Sequence, residues 1–331
     1  MRIAIVKLSA LGDIVHAMVV LQFIKKFNNE ILIDWFVEES YKELLEFNPD
    51  VNKVHKVKIQ NAKKQKSLAL LIREFQKVRT LESYDLVIDM QGLIKSAIIA
   101  RLIPSLITLG FDKFSIRERF ASFFYNKKFN CAYDKNIIER NIELIEFALG
   151  IRIDKEKVKN KDSILFSKKN QFDINLSQNQ KNILLIPGSS HKSKCYPASK
   201  LGKLSTLIEA NFIVIWGNSE EQLLAKTIKK ISPSVTICSK LSLDSLIFLI
   251  SKVDLVIGPD TGPTHFAWAL NIPSITLFGP TPGYRNAYAT NINKVIESES
   301  VVDALNINKN DNSIKNISVK KINETVTELL R

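Results

Sequence analysis

Residues 254–270, "DLVIGPDTGPTHFAWAL", decide how the chain is read. An apolar run through Leu255-Val256-Ile257 has strand character, and a helix-like pattern begins near Pro263. Between them stand Pro259, Asp260, Thr261 and Gly262, with His265 just inside the helix. A buried strand that empties through a glycine turn into a helix is part of a βαβ unit. Such a helix start presents free N–H groups at the strand exit, where a phosphate is stabilised. Thr261 or Asp260 is placed to cap the helix, and Pro263 suits its first position. One cap suffices, so an acid and an imidazole remain in surplus to folding. A sugar-phosphate ligand accounts for both: N–H groups for the phosphate, a carboxylate for hydroxyls. After the next strand, "FGPTPGYRN" (278–286) supplies a second Gly/Pro/Thr loop at the same sheet edge.

The same alternation extends in both directions. "RIAIVKL" (2–8), "ILIDWFV" (31–37), "KVHKV" (53–57), "DLVIDM" (85–90) and "LITLGF" (106–111) read as strands, with helices over 13–27 and 64–81. A polar, Lys- and Asn-rich stretch without periodicity follows. Strands then resume at 182–188, 211–217, 235–240, 254–259 and 274–280, and a final helix runs from about Val319. Strands alternating with helices imply parallel sheets. The expected fold is therefore α/β, two doubly wound Rossmann-like domains: residues 1–155, a linker over 156–181, and 182–331. The final helix is assigned to the second domain, with packing back on the first as the alternative.

The chain has 331 residues, ordinary hydrophobic and charged shares of 45% and 24%, and a net charge of +13. No run of about 18 uncharged apolar residues occurs, so a spanning helix is not expected. The N-terminal apolar core is too short for a secretory signal. Cys131, Cys195 and Cys238 form neither a disulfide framework nor a metal knuckle, and a cytoplasmic setting is expected. The positive field points to nucleic acid, anionic membrane or phosphorylated substrates. Lys far outnumbers Arg, which weighs against sequence-specific nucleic-acid contacts.

Three further clusters lie just after strands. "KLSALGDIVHA" (7–17) places Gly12 in a tight turn and Asp13 at a helix start, as cap or as proton acceptor. It contains no GxGxxG. "PGSSHKSKCYP" (187–197) offers lysines and N–H groups for an anion before a helix whose first turn holds Pro197, without Walker A spacing. "WGNSEEQLLAK" (216–226) puts acids in a helix's first turn, where one could cap or bind ribose hydroxyls.

"VKLSALGDIVHA" (6–17), "IDMQGLIKSA" (88–97), "KCYP" (194–197), "GPDTGPTHFAWAL" (258–270) and "FGPTPG" (278–283) together resemble the lipopolysaccharide heptosyltransferases of glycosyltransferase family 9. The likeness is stronger to the type I branch than to the second. It implies a GT-B fold with the active site in the interdomain cleft. It also implies inverting transfer of a heptose from ADP-L-glycero-D-manno-heptose to the Kdo of Kdo-lipid A. Asp13 would be the general base, and Lys194 would neutralise the departing diphosphate. The donor would meet Ser189, Lys192, Trp216, Gly217, Glu220 or Glu221 (one of these on the ribose), Asp260 on heptose hydroxyls, Thr261, Gly262 and Pro263, with His265 near the diphosphate. Lys7, Ser9, Gly12, His16, Gln91, Lys95, Arg117 and Arg119 would face the acceptor. No metal or other cofactor is implied, nor nucleic acid. A monomer at the cytoplasmic face of the inner membrane is expected. The chain departs from the family pattern at Ala10, Tyr196 and Pro263, none of which removes a charge that the mechanism needs.

The segment 112–129, "DKFSIRERFASFFYNKKF", mixes five Lys or Arg with five Phe and suits an anionic lipid, or else a surface helix that packs its rings inward. Three alternative functions stand beside this one. A later-acting core heptosyltransferase would share this chemistry with another acceptor. A nucleotide-dependent oxidoreductase would need the missing glycine-rich turn. A non-catalytic basic binding protein would leave Asp13, Lys194 and Asp260 unexplained.

Overall fold

The computed structural model describes residues 1–168 and 174–331. It divides into two compact units, Met1–Ile164 and Leu165–Arg331. In the first, strands β1 (Arg2–Val6), β2 (Leu32–Glu38), β3 (Lys53–Val57), β4 (Tyr84–Asp89), β5 (Ser105–Phe111) and β6 (Lys127–Phe129) alternate with helices α1 (Leu11–Phe27), α2 (Ile59–Lys64), α3 (Leu68–Arg79), α4 (Ile94–Leu102), α5 (Ile137–Leu149) and α6 (Lys155–Lys159). The sheet is parallel throughout, in the order β3-β2-β1-β4-β5-β6.

The second unit repeats the plan with strands β7 (Asn182–Leu185), β8 (Asn211–Val214), β9 (Thr236–Ile237), β10 (Leu255–Pro259), β11 (Ser274–Phe278) and β12 (Asn293–Glu297). Its helices are α7 (Ala198–Ser205), α8 (Ser219–Ile231), α9 (Leu243–Ile250), α10 (Gly262–Ala269), α11 (Gly283–Asn286) and α12 (Val319–Leu330). The parallel order is β12-β11-β10-β7-β8-β9. Each unit thus sets its first and fourth strands side by side, Ile3 against Leu86 and Ile183 against Leu255. From that pair the chain winds outward in opposite directions, leaving a crevice at the strands' carboxyl ends.

Sheets covered on both faces require near-continuous apolar strands. Ala4 to Val6 and Leu255 to Ile257 are fully buried, which meets that need. Helix α1 is buried from Ile14 to Ile24, as an apolar helix must be, and packs on α5. Several ends differ from those expected. β7 stops at Leu185: the Ile186 N–H still reaches the Ile257 carbonyl at 2.9 Å, but Pro187 has no N–H to continue. Helix α3 begins at Leu68, where Ser67 accepts the Leu70 N–H, and the residues before it form the separate turn of α2. Helix α1 opens at Leu11 with Ala10 as its N-cap, so Asp13 is the third helical residue and serves the helix start by accepting the Ala10 N–H.

The units divide inside the stretch read as linker, and α6 occupies its start. Residues 169–173 of that stretch lie outside the described residues. Helix α12 packs within the second unit, with Ile322 and Val326 in the same apolar cluster as Leu201 and Ile228.

Toward the amino ends of the first unit's strands sits a buried carboxylate, Asp34. It accepts bonds from Tyr84 Oη (2.5 Å), Arg2 Nη2 (3.0 Å) and Asn52 Nδ2 (3.0 Å), and meets His55 Nε2 at 3.2 Å. Burial works to raise its pKa, but the bonds from His55, Tyr84, Asn52 and Arg2 prevail and hold it well below the usual range. A depressed carboxylate contributes stability above its unfolded pKa and loses it as pH falls through the folded one. Asp34→Asn should therefore cost about 3–5 kcal/mol at pH 7 in urea unfolding. It should also weaken the acid dependence of stability below about pH 4; unchanged stability at pH 7 would contradict the buried-pair account.

Candidate active site

In the second unit the crevice between β7 and β10 is organised around Asp260, the first residue after β10. Its buried carboxylate lies 2.6 Å from Lys194 Nζ and accepts Thr281 Oγ1 at 2.8 Å on the same oxygen. The other oxygen meets His265 Nε2 at 3.1 Å. Its backbone carbonyl accepts the Ser189 hydroxyl at 2.9 Å. One residue therefore ties together the loops after β7, β10 and β11. Burial acts to raise the carboxyl pKa, yet His265 and Lys194 outweigh it and hold the group ionised, well below the usual range. The ammonium of Lys194 is in turn fixed at the crevice, with only 15% of its side chain exposed.

Helix α10 starts beside this carboxylate, bringing the positive end of its dipole to the strand exit. Thr261 is its N-cap residue but its side chain accepts no capping bond, and Asp260 is turned to Lys194, His265 and Thr281. The expected side-chain cap is thus absent, because the acid's oxygens already serve the loops around it. Pro263 is the second helical residue and Pro197 is the N-cap residue of α7, each one position from where the sequence suggested. Gly258 allows the close fit: a Cβ there would lie 2.5 Å from Thr264 Oγ1 and 2.8 Å from Ile186 Cβ.

The acids after Trp216-Gly217 have separate fates. Asn218 caps α8 by accepting the Glu221 N–H, and Glu221 Oε2 accepts the Gly217 N–H at 2.7 Å. A Cβ on Gly188 would strike Glu221 Cγ at 2.3 Å, so Glu221 lies against the loop after β7. Glu220 is exposed and meets the exposed Lys192 at 3.8 Å, a pair worth little in water. Trp216 donates to the Cys238 carbonyl. Tyr196 is a core residue whose hydroxyl donates to the Ile317 carbonyl.

In the first unit, the loops after β1 and β4 are laced together. Lys7 is buried and donates to the Met90 carbonyl at 2.9 Å. Gln91 Oε1 accepts the N–H groups of Leu8 (2.7 Å) and Ser9 (3.3 Å), and Lys95 Nζ reaches Ser9 Oγ at 2.8 Å. Asp13 follows on α1, exposed, its Oδ2 3.3 Å from the Ala10 N–H. Gly12 belongs to the same first turn, whereas His16 is buried one turn on. Arg117 and Arg119 are exposed on the segment between β5 and β6. That segment is joined to α4 by Glu118, which accepts the Ile94 N–H at 2.7 Å.

Three residues of these crevices escaped the sequence reading. Thr281 lies in the quoted "FGPTPG" loop, and its position after β11 was the available signal. Asp89 ends β4 fully buried, accepting Gln91 and Gly92 N–H groups, Ser96 Oγ and Tyr125 Oη. Glu38 ends β2 beside the β1 exit, its N–H on the Leu8 carbonyl. Among the described residues no group of three His, Cys, Asp or Glu is placed to hold a metal ion, and no helix is long and apolar enough to cross a membrane.

Two parallel doubly wound units with polar clusters at their switch points are the α/β plan of GT-B glycosyltransferases. The sequence profile of glycosyltransferase family 9 (heptosyltransferase) matches residues 72–312. The lipopolysaccharide heptosyltransferase 1 of Campylobacter coli is 41% identical over 99% of each chain, and that of Escherichia coli K12 is 30% identical over 88% of this chain and 92% of its own. Among solved structures, E. coli heptosyltransferase WaaC with ADP superposes with a TM-score of 0.81 at 25% identity, covering 99% of this chain and 100% of that one. The chain belongs to glycosyltransferase family 9.

Glu38 provides a test of the electrostatics at this edge. Burial pushes its carboxyl up to about 7, against the opposing pull of the Gln60 N–H and Lys95. Between its ordinary pKa and about 7 the folded state holds a proton that the unfolded state lacks. Its contribution is therefore complete at low pH and is lost as pH rises through that window. Glu38→Gln should gain stability over the wild type on going from pH 5 to 8, by on the order of 2–3 kcal/mol in urea unfolding. A pH-independent difference would contradict it.

Proposed function

We propose that the protein transfers a heptose from ADP-L-glycero-D-manno-heptose to the Kdo of Kdo-lipid A, with inversion, the first heptose of the lipopolysaccharide inner core. The observation that carries the reading is the Lys194–Asp260–His265–Thr281 cluster beside the start of α10. A fixed ammonium and a helix N-terminus at one strand exit suit a diphosphate leaving group. The resemblance in length and sequence to lipopolysaccharide heptosyltransferase 1 of C. coli, and to WaaC bound to ADP-2-deoxy-2-fluoro heptose, supports this donor.

In this reading the second unit holds the donor. Lys194 and the N–H groups at Thr261 and Gly262 receive the diphosphate. Asp260 keeps Lys194 in place and accepts from the heptose hydroxyls with the lone pairs that Lys194, His265 and Thr281 leave, while Glu221, already held at Gly217, takes the ribose. The first unit supplies the base. Asp13 accepts the proton of a Kdo hydroxyl as that oxygen bonds the anomeric carbon, the carbon–phosphate oxygen bond breaks, and ADP departs with the electron pair. Positioned base catalysis of this kind contributes about 10²–10⁴ in rate. Arg117 and Arg119 attract the carboxylate and phosphates of the acceptor. No metal is required in this scheme, the protein acts as a monomer, and it works at the cytoplasmic face of the inner membrane.

Asp13→Asn should lower kcat by at least about 10² and leave ADP affinity nearly unchanged; equal loss of both would remove Asp13 from the base role. Lys194→Ala should damage turnover and ADP binding together, the latter measured by calorimetry on folded protein. Normal ADP binding by that variant would refute the leaving-group assignment.

A further inference from the structure

The segment between β5 and β6 presents its aromatic rings outward. Phe114, Phe120 and Phe123 are 68%, 71% and 74% exposed, and Phe120 and Phe123 face one another at 6.1 Å between centroids. Large apolar rings exposed together on one short segment mark a surface that another phase covers. The segment is not loose. Ile116, Ala121 and Tyr125 are buried beneath it, Tyr125 Oη bonds Asp89, and Arg140 Nη2 donates to the Ser115 carbonyl at 2.6 Å.

Its charges are sorted in the same sense. Both acids are engaged by hydrogen bonds: Asp112 accepts the N–H groups of Phe114 and Ser115 and the Asn130 amide, and Glu118 accepts the Ile94 N–H. Lys113, Arg117 and Arg119 remain exposed among the rings, with Lys113 Nζ 4.9 Å from the Phe114 ring centre. A basic surface with protruding rings complements an anionic bilayer: cations lie among the headgroups while rings enter the acyl boundary.

We propose that residues 112–126 form a wedge that docks on an anionic lipid bilayer, with Phe114, Phe120 and Phe123 inserted and Lys113, Arg117 and Arg119 at the headgroups. This deepens the transfer reading above and rests on it. Glu118 joins the wedge to the start of α4, whose Lys95 holds Ser9 in the loop before Asp13. Docking therefore sets the acceptor edge of the first unit at the membrane surface, where a lipid-borne sugar is found.

The test is co-sedimentation with vesicles of phosphatidylethanolamine and phosphatidylglycerol that contain no acceptor. Wild type should partition onto them, and Phe114→Ser/Phe120→Ser/Phe123→Ser should lose about tenfold or more of that partitioning. The triple variant should keep wild-type turnover on a deacylated, water-soluble acceptor and lose it on acceptor held in vesicles. Failure of wild type to sediment, equal sedimentation of the variant, or equal capture by pure phosphatidylcholine would overturn the proposal. A Phe123→Trp variant guards against misfolding: brominated acyl chains should quench it beyond the wild-type background, and no added quenching also overturns docking. If no heptose is transferred to either acceptor while the sedimentation difference holds, the wedge stands and the transfer reading falls.

Discussion

The ion pair between Asp260 and Lys194 is the constraint on which the second unit's crevice depends. A buried carboxylate is tolerated only when charge and hydrogen bonds replace water. Here Lys194 does so from the loop after β7, His265 from α10 and Thr281 from the loop after β11, and Ser189 holds the same residue by its carbonyl. The acid thereby fixes the position of a cation that would otherwise sample many rotamers. A pre-positioned positive charge costs no reorganisation when negative charge develops on a leaving group. Folding and chemistry make the same demand on this residue.

The first unit uses a carboxylate at the end of its fourth strand in a different way. Asp89 is surrounded by neutral donors, two backbone N–H groups, Ser96 and Tyr125, and burial pushes its pKa up. It shapes the loop after β4 from within the fold. Asp13, one loop away on the first turn of α1, is by contrast exposed. In the proposed division of labour, the unit with the buried ion pair meets the anionic nucleotide. The unit with the solvent-facing carboxylate meets the hydroxyl that loses a proton. Fold similarity alone would not distinguish these roles, since both sheets have the same strand order.

Much of this architecture was legible because parallel strands buried on both faces leave continuous apolar runs. Lys53–Val57 and the start of the last helix at Val319 emerge as read. The ends were less legible. Whether Ile186 extends a strand depends on a proline one residue later, and whether Asp260 caps a helix depends on partners far away in sequence. Lys194 and Thr281 stand 66 and 21 residues from it, and no local pattern announces either bond. The motif residues could be assembled through their likeness to a family; Thr281 and Asp89 lie inside quoted motifs but their bonds are not legible there, and Glu38 lies in none. The rings of residues 114–123 were undecided for another reason: a segment without sustained periodicity has no face that can be assigned before its anchors are known.

The central claim is that this family 9 glycosyltransferase adds one heptose to Kdo-lipid A. Its most direct test is to incubate the purified protein with ADP-L-glycero-D-manno-heptose and Kdo-lipid A and to weigh the lipid by mass spectrometry. A gain of one heptosyl residue, with release of ADP, is the predicted result. An unchanged lipid in the presence of folded, ADP-binding protein, or a gain seen only on an acceptor that already carries heptose, would contradict it.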